Sequence, residues 1–425
     1  MKQCISYLNE STCPFLAVQN ATKRLKENGF KELTLKDDWN LPSGKYFVNY
    51  FDSFLLAFIL PNPLTQISSI HLALAHDDSP AFKLKSHPDM TKSGYHNLNA
   101  ELYGGMLPST WFDRPLGLSG KIFLRGKNPF SPSEKVFDSR EAVCIIPSLA
   151  PHLSRNDSAK DANPQCEYMP LFSLAEKETP SVLSYIAKKA EVQKEDILSY
   201  DITLYNEEKA QLLGPQNEFL SAPRIDNLLS VSALLEAITC EEESDCLSMI
   251  CIFHHEEIGS RSKEGADSNT LKNCLDKLFF DFHIPFSKYA FLLQNSIMLS
   301  VDGAHGLHPN YPEKHDPTNP VLLNHGVCLK SSASQRYVTD ARVTAMIKSL
   351  CEEQHISYQE QVNKTGMAGG QTLGPIVSSY LPIPAIDLGV PILGMHSARE
   401  LCGCSDYENL KKLLKGFFFP VFQKH

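Results

Sequence analysis

Apolar residues recur at helical spacing from Ala17 to Asn28, with Val18, Ala21 and Leu25 on one side and lysines and glutamate on the other. Gly29 closes the run, so the pattern predicts an amphipathic helix. The period then changes. KYFVNY, SFLLAFIL and ISSIHLALAH read as strands, the last running into the polar HDDSP. Leu228 to Thr239 is again helical, LSMICIF is a continuous apolar run, and SIMLSVD is a second such run that ends in an acid. Continuous apolar strands are those covered on both faces. Strands alternating with helices predict an α/β fold with a mostly parallel central sheet flanked by helices.

From about Lys83 to Gln216 the pattern differs. Short strand-like pieces (KIFLRG, AVCIIPSLA) flank SRNDSAKDANPQ, which reads as a surface loop. This predicts a smaller, mostly-β domain at 83–216, inserted into a larger domain made of 1–82 and 217–425. The tail GFFFPVF reads as a core element, because large apolar residues are usually buried.

A chain of 425 residues is long enough for two domains. With 42% hydrophobic and 21% charged residues it reads as a globular protein. A net charge of -9 argues against a nonspecific nucleic-acid binder, which needs a basic face. The first residues lack the apolar core of a secretory signal, and FLLAFILP is far shorter than a membrane span. The twelve cysteines are scattered without zinc-finger spacing, which suits a reducing, cytoplasmic setting. The CxC at Cys402 and Cys404 reads as ordinary packing.

The candidate chemistry lies where the strand-like runs stop. His76 and Asp78, Glu256 and Glu257, Asp302, and His396 all follow apolar runs, and Asp226 precedes a helical one. In open parallel sheets, ligands bind beyond the carboxyl ends of the strands. Neighbouring residues of a strand point to opposite faces, so Glu256 and Glu257 can serve one site only where the chain has left the strand. Gly259 and Ser260 mark that exit. One carboxylate would then bind a metal while the other holds a water and shuttles its proton. Taken singly, each signal has a plain alternative: a glutamate pair in a solvated loop, a chance His-x-Asp, or an aspartate capping a helix. Together, imidazoles and carboxylates at strand exits suit zinc or a similar divalent ion.

Longer strings carry more information: CPFLAV, WNLPSGKYF, AHDDSP, AELYGGMLPSTWFDRPLGLSGKI, SAPRIDNL, HHEEIGS, VDGAHGLHPNYPEKHDP, SQRY, GQTLGPI and GMHSARE. Through them the chain resembles, over nearly its full length, the aspartyl aminopeptidase family of dinuclear zinc metallopeptidases. The resemblance implies two Zn²⁺ per subunit, with Mn²⁺ or Co²⁺ as alternatives. His76 and Asp302 would hold one ion, Glu257 and His396 the other, and Asp226 would bridge them. Asp78 would orient His76, and Glu256 would be the general base. Lys330 would face an acidic substrate side chain, with Tyr337 and His305 nearby. His152 would reach a neighbouring subunit's site and steady the developing oxyanion. The substrates implied are small peptides with a free N-terminus, preferably Asp or Glu. The inserted domain would dimerise, and the dimers would assemble into a tetrahedral dodecamer.

The chain departs from the family pattern at His254 and His255, where Asp-Asn is usual, and at Gly366, where an Asp is expected. The first pair would pack nearby or add a metal contact. The second departure bears on the acidic preference. Competing readings are an aminopeptidase of neutral or broad preference, an amide deacylase, and a non-catalytic assembled binding protein.

Overall fold

The computed structural model describes residues 1–61, 67–153, 163–176, 179–240, 246–367 and 369–420. The chain forms two compact units. One comprises Met1–Asp78, Ala210–Met395 and Glu400–His425; the other comprises Ser79–Lys209 and His396–Arg399.

The first unit is an α/β structure around a nine-stranded sheet. Its centre consists of four parallel strands in the order Leu247–Phe253, Ile70–His76, Ile297–Val301 and Ala385–Gly389. The sheet is mixed toward its edges. Phe54–Leu60 runs antiparallel to Leu247–Phe253, and Val327–Ser331 runs antiparallel to Ala385–Gly389. Side chains alternate between two cores. Ala73, Ala75, Ile250, Ile252, Leu299 and Val301 face one side, against helices Lys2–Glu10, Pro14–Glu27, Ile225–Ile238 and Cys404–Phe418. Leu72, Leu74, Met249, Cys251, Phe253 and Met298 face the other, against Thr270–Asp281, Phe286–Asn295 and Leu373–Ser378. Burial on both faces explains why these strands read as unbroken apolar runs. Phe417, Phe418 and Phe419 are buried in the first core, as the tail pattern predicts.

The second unit is built on a six-stranded, wholly antiparallel sheet with the helix Val182–Lys189. Phe82, Leu98, Leu118, Ile122, Ile186, Ile202 and Leu204 form its core. The units divide at 78/79 and 209/210, where the sequence pattern put the changes at 82/83 and 216/217. Most of the SRNDSAKDANPQ stretch lies outside the described residues. Among the described residues, no helix is long and apolar enough to cross a membrane.

Candidate metal centre

Register puts the acids and histidines level with one another. Phe253 pairs with His76, and Ser300 with Leu74, so three parallel strands end side by side and release Glu256, Asp78 and Asp302 at one sheet edge. Asp302 stays against its neighbour because its N–H donates to Leu388 O at 3.0 Å. A Cβ on Gly389 would stand 1.7 Å from Asp302 O, so that close approach requires glycine. Asp226 comes from elsewhere. It lies in the first turn of Ile225–Ile238, where Asp226 and Asn227 leave helical geometry. The Asp226 N–H donates to Glu400 Oε2 at 2.9 Å, and Asn227 Nδ2 donates to Val301 O at 2.8 Å. The second bond ties the Asp226 turn to the strand that carries Asp302.

His76 is the hub of the cluster. Its Nδ1 lies 3.1 Å from Asp78 O and 3.4 Å from Asp78 Oδ1. A carbonyl only accepts, so Nδ1 carries the proton and Nε2 presents the lone pair. Nε2 lies 3.5 Å from Asp226 Oδ1 and 3.6 Å from Asp302 Oδ1. Donor atoms of His76, Asp226 and Asp302 all lie within 4.8 Å of one another, as do those of His76, Glu256 and Glu257. The Asp78 carboxylate also accepts the Glu256 N–H on Oδ1 and the Glu257 N–H on Oδ2, each at 3.1 Å. His255 and Gly259 take left-handed backbone angles (φ +62° and +94°) and make the turn that carries both glutamates out of the strand.

Burial opposes a charge on His76, but the carboxylates of Asp226, Asp302 and Asp78 outweigh it and hold the imidazole well above its ordinary value. The field that attracts a proton there attracts a divalent cation too. Burial pushes Glu256 up to about 8; His76 opposes the shift, while Asp302, Asp78 and Asp226 add to it. The donor set fits zinc. A tetrahedral ion with ligands at about 2.0–2.2 Å holds neighbouring ligand atoms about 3.3–3.6 Å apart, which is the spacing of Nε2 from the two aspartate oxygens.

His396 does not follow a strand of the main sheet. Pro391–Leu393 belongs to a separate five-stranded sheet, and the segment His396–Arg399 clusters with the second unit. Its Nδ1 donates to Gly105 O at 2.8 Å, so Nε2 is its basic nitrogen too. His152 lies in the second unit, exposed in the turn after Ile146. His305 is exposed on the short strand Ala304–His305. His308 and His315 bond within their own loop, His308 N–H donating to His315 Nε2 at 3.3 Å.

Lys330 is not a solvated lysine: it is 1% exposed. Its Nζ donates to Gly303 O at 3.0 Å and Asp302 O at 3.2 Å, and lies 5.1 Å from the centre of the buried Tyr337 ring. Burial opposes its charge, but Asp302, Asp387, Tyr337 and Asp226 raise its pKa, so it stays cationic. Asp387, fully buried and opposite Lys330 in the antiparallel pair, was missed by sequence reasoning. So was Glu400: it sits inside the GMHSARE string, but nothing local signals that its carboxylate holds the Asp226 backbone.

Known proteins resemble the chain over nearly its whole length. A family profile described as Aminopeptidase I zinc metalloprotease (M18) matches residues 7–418. The chain is 37% identical over 422 residues to a probable M18 family aminopeptidase 2 of Clostridium novyi (strain NT), covering 98% of each chain. It also resembles the solved chain described as the Ape4 and Nbr1 complex, with a TM-score of 0.92 at 30% identity, covering 98% of this chain and 85% of that one. The S. cerevisiae mApe1 dodecamer matches with a TM-score of 0.84 at 26% identity, covering 98% of this chain and 95% of that one.

Proposed function

The chain belongs to the M18 family of zinc metalloprotease aminopeptidases, and we propose that it removes N-terminal Asp or Glu from small peptides using two zinc ions per subunit. The observation that carries this reading is the convergence of His76, Asp226, Asp302, Glu256 and Glu257 at one sheet edge. In this reading His76, Asp302 and Asp226 would hold one ion, and Glu257, His396 and Asp226 the other. Support for His396 comes from chain continuity: it follows Met395, whose Cε would lie 2.9 Å from a Cβ on Gly303, beside Asp226.

When bound, the ions lower the pKa of a water and polarise the scissile carbonyl. In this reading Glu256 would take a proton from the attacking water and pass it to the leaving amine; its burial, which raises its pKa, strengthens it as a base. Asp78 fixes the His76 tautomer and both glutamate amides. Lys330 is the cation for the substrate's acidic side chain, supported by its burial and its hold on the Asp302–Gly303 carbonyls. Tyr337 packs beneath it, and His305 lines the approach.

We further propose that the inserted unit, taken as 83–216, mediates dimerisation, and that twelve copies enclose their sites in a tetrahedral assembly. The dodecameric relative supports this. His152 would then enter a neighbouring subunit's site. Its turn carries Leu149 and Leu153, exposed by 60% and 74%, as a contact loop would. None of the twelve cysteines is joined in a disulfide, which fits the cytoplasm.

One observation favours a broader preference. Gly366 stands where the resemblance expects an aspartate, so that acidic side chain is missing here. Release of the first residue from Asp-, Glu- and Leu-initiated peptides, with and without chelator, separates these readings. Fast, chelator-sensitive Asp or Glu release is expected. Faster Leu release would leave the aminopeptidase and remove the acidic preference. No release from zinc-loaded protein would overturn the function.

A further inference from the structure

His254 and Asp77 play no part in the chemistry above, yet both are almost wholly buried directly behind it. The two parallel strands that end at His76 and Phe253 continue beyond their last register pair through three ties. The first is a backbone bond, Asp77 N–H to Phe253 O at 3.0 Å. The second joins side chains, His254 Nδ1 to Asp77 Oδ1 at 2.8 Å. The third is the Asp78 carboxylate gripping the amides of Glu256 and Glu257. His254 is itself held from behind. Its N–H donates to Glu264 O at 3.1 Å, and its ring lies 3.8 Å from that of His255 and 6.2 Å from that of Phe15. His255 in turn bonds Ser262 Oγ through Nδ1 at 2.8 Å.

We infer that the Asp77–His254 pair is a positioning latch, which locks the turn bearing Glu256 and Glu257 to the segment bearing His76 and Asp78. Donor atoms of Asp77, Asp78 and His254 lie within 4.8 Å of one another, as a further cation site would require. But both Asp78 oxygens accept backbone amides and the Nδ1 of His254 lies on Asp77. The arrangement is that of a hydrogen-bonded pair. Two adjacent buried carboxylates, Asp77 and Asp78, need a partner each, since a buried charge is tolerated only when paired. Asp78 has the two amides and His76; His254 serves Asp77. The latch works at the strand ends, where the ladder gives out after the single backbone bond from Asp77 to Phe253. Groups behind metal ligands typically alter metal affinity about 10–100-fold.

This inference rests on the metallo-aminopeptidase reading. Its test compares His254→Leu, which cannot bond Asp77, with His254→Asn, whose amide donates from the place of Nδ1. Zinc affinity is measured by competition with a chromophoric chelator, and kcat and KM on an Asp-initiated peptide. His254→Leu should weaken zinc by about 10-fold or more and lower kcat with KM unchanged, while His254→Asn recovers most of the zinc affinity. Wild-type zinc affinity in His254→Leu, or equal loss in both variants, overturns the latch. If His254→Leu does not fold, the isosteric Asp77→Asn takes its place: zinc at least about 3-fold weaker, with kcat down and KM unchanged, supports the latch, and no change refutes it. A wild-type chain that binds zinc but releases no residue would sink the aminopeptidase reading while leaving the zinc comparison intact. A wild-type chain that binds no zinc would refute both.

Discussion

Replacing Asp78 by asparagine changes one atom and tests the centre where its parts meet. The carboxylate is fully buried. It accepts the amides of Glu256 and Glu257, one on each oxygen, and faces His76 Nδ1 at 3.4 Å. Asparagine has one accepting oxygen. Its NH₂ must therefore confront one of the two amides, donor against donor. A hydrogen bond to a charged group is worth about 1.5–3 kcal/mol, and the remaining bond, now neutral, weakens by about 1 kcal/mol. The sum is about 2.5–4 kcal/mol, or about 10²–10³-fold in kcat/KM at about 1.4 kcal/mol per factor of ten. The loss should appear in kcat, because the amides of Glu256 and Glu257, the proposed base and a proposed ligand, lose their anchor together. The assay is steady-state hydrolysis of an Asp-initiated peptide, with zinc content measured on the same sample. A drop below about 3-fold in a fully zinc-loaded variant would refute the role given to Asp78.

Three further outcomes are expected. Glu256→Gln should lower kcat about 10²–10⁴-fold with zinc content intact, and retained activity would remove Glu256 as the base. Lys330→Met keeps the stem but loses the charge, so the ratio of Asp- to Leu-peptide kcat/KM should fall at least about 10-fold, the size of one lost charged contact. An unchanged ratio would free Lys330 from specificity. His152→Ala should lower kcat about 10²-fold without loss of zinc, as removal of an oxyanion donor does, and a near-normal rate would exclude the histidine.

The sequence reading reached furthest where a physical signal was local. LSMICIF predicts a two-faced strand and the strand is Leu247–Phe253. The glutamate pair demanded an exit from that strand, and left-handed His255 and Gly259 provide it. What stayed hidden depends on the other side of a contact. An apolar run carries no direction, so nothing in SFLLAFIL announced that Phe54–Leu60 runs against its neighbour. Glu400 and Asp77 look like any loop acid until the fold brings Asp226 and His254 against them. His396 follows a strand-like run, but that run joins the smaller sheet. The burial of Lys330 was equally illegible, because its counter-charge Asp387 is distant in sequence and meets it only across a strand pair.

Under the role proposed for Lys330, that strand pair has a consequence for how substrate preference can change. Val327–Ser331 runs opposite to the strands that deliver the acids, so Lys330 is presented from within a strand and not from a loop beyond one. Loops can be lengthened, shortened or exchanged at little thermodynamic cost. A buried cation in mid-ladder cannot. Any lineage that abandons it must also resolve the stranded charge of Asp387 and repack Tyr337, so a new preference demands several coordinated substitutions before the first is tolerable. Diversification in this region should therefore come in blocks, with Lys330, Tyr337 and Asp387 kept or lost together across relatives.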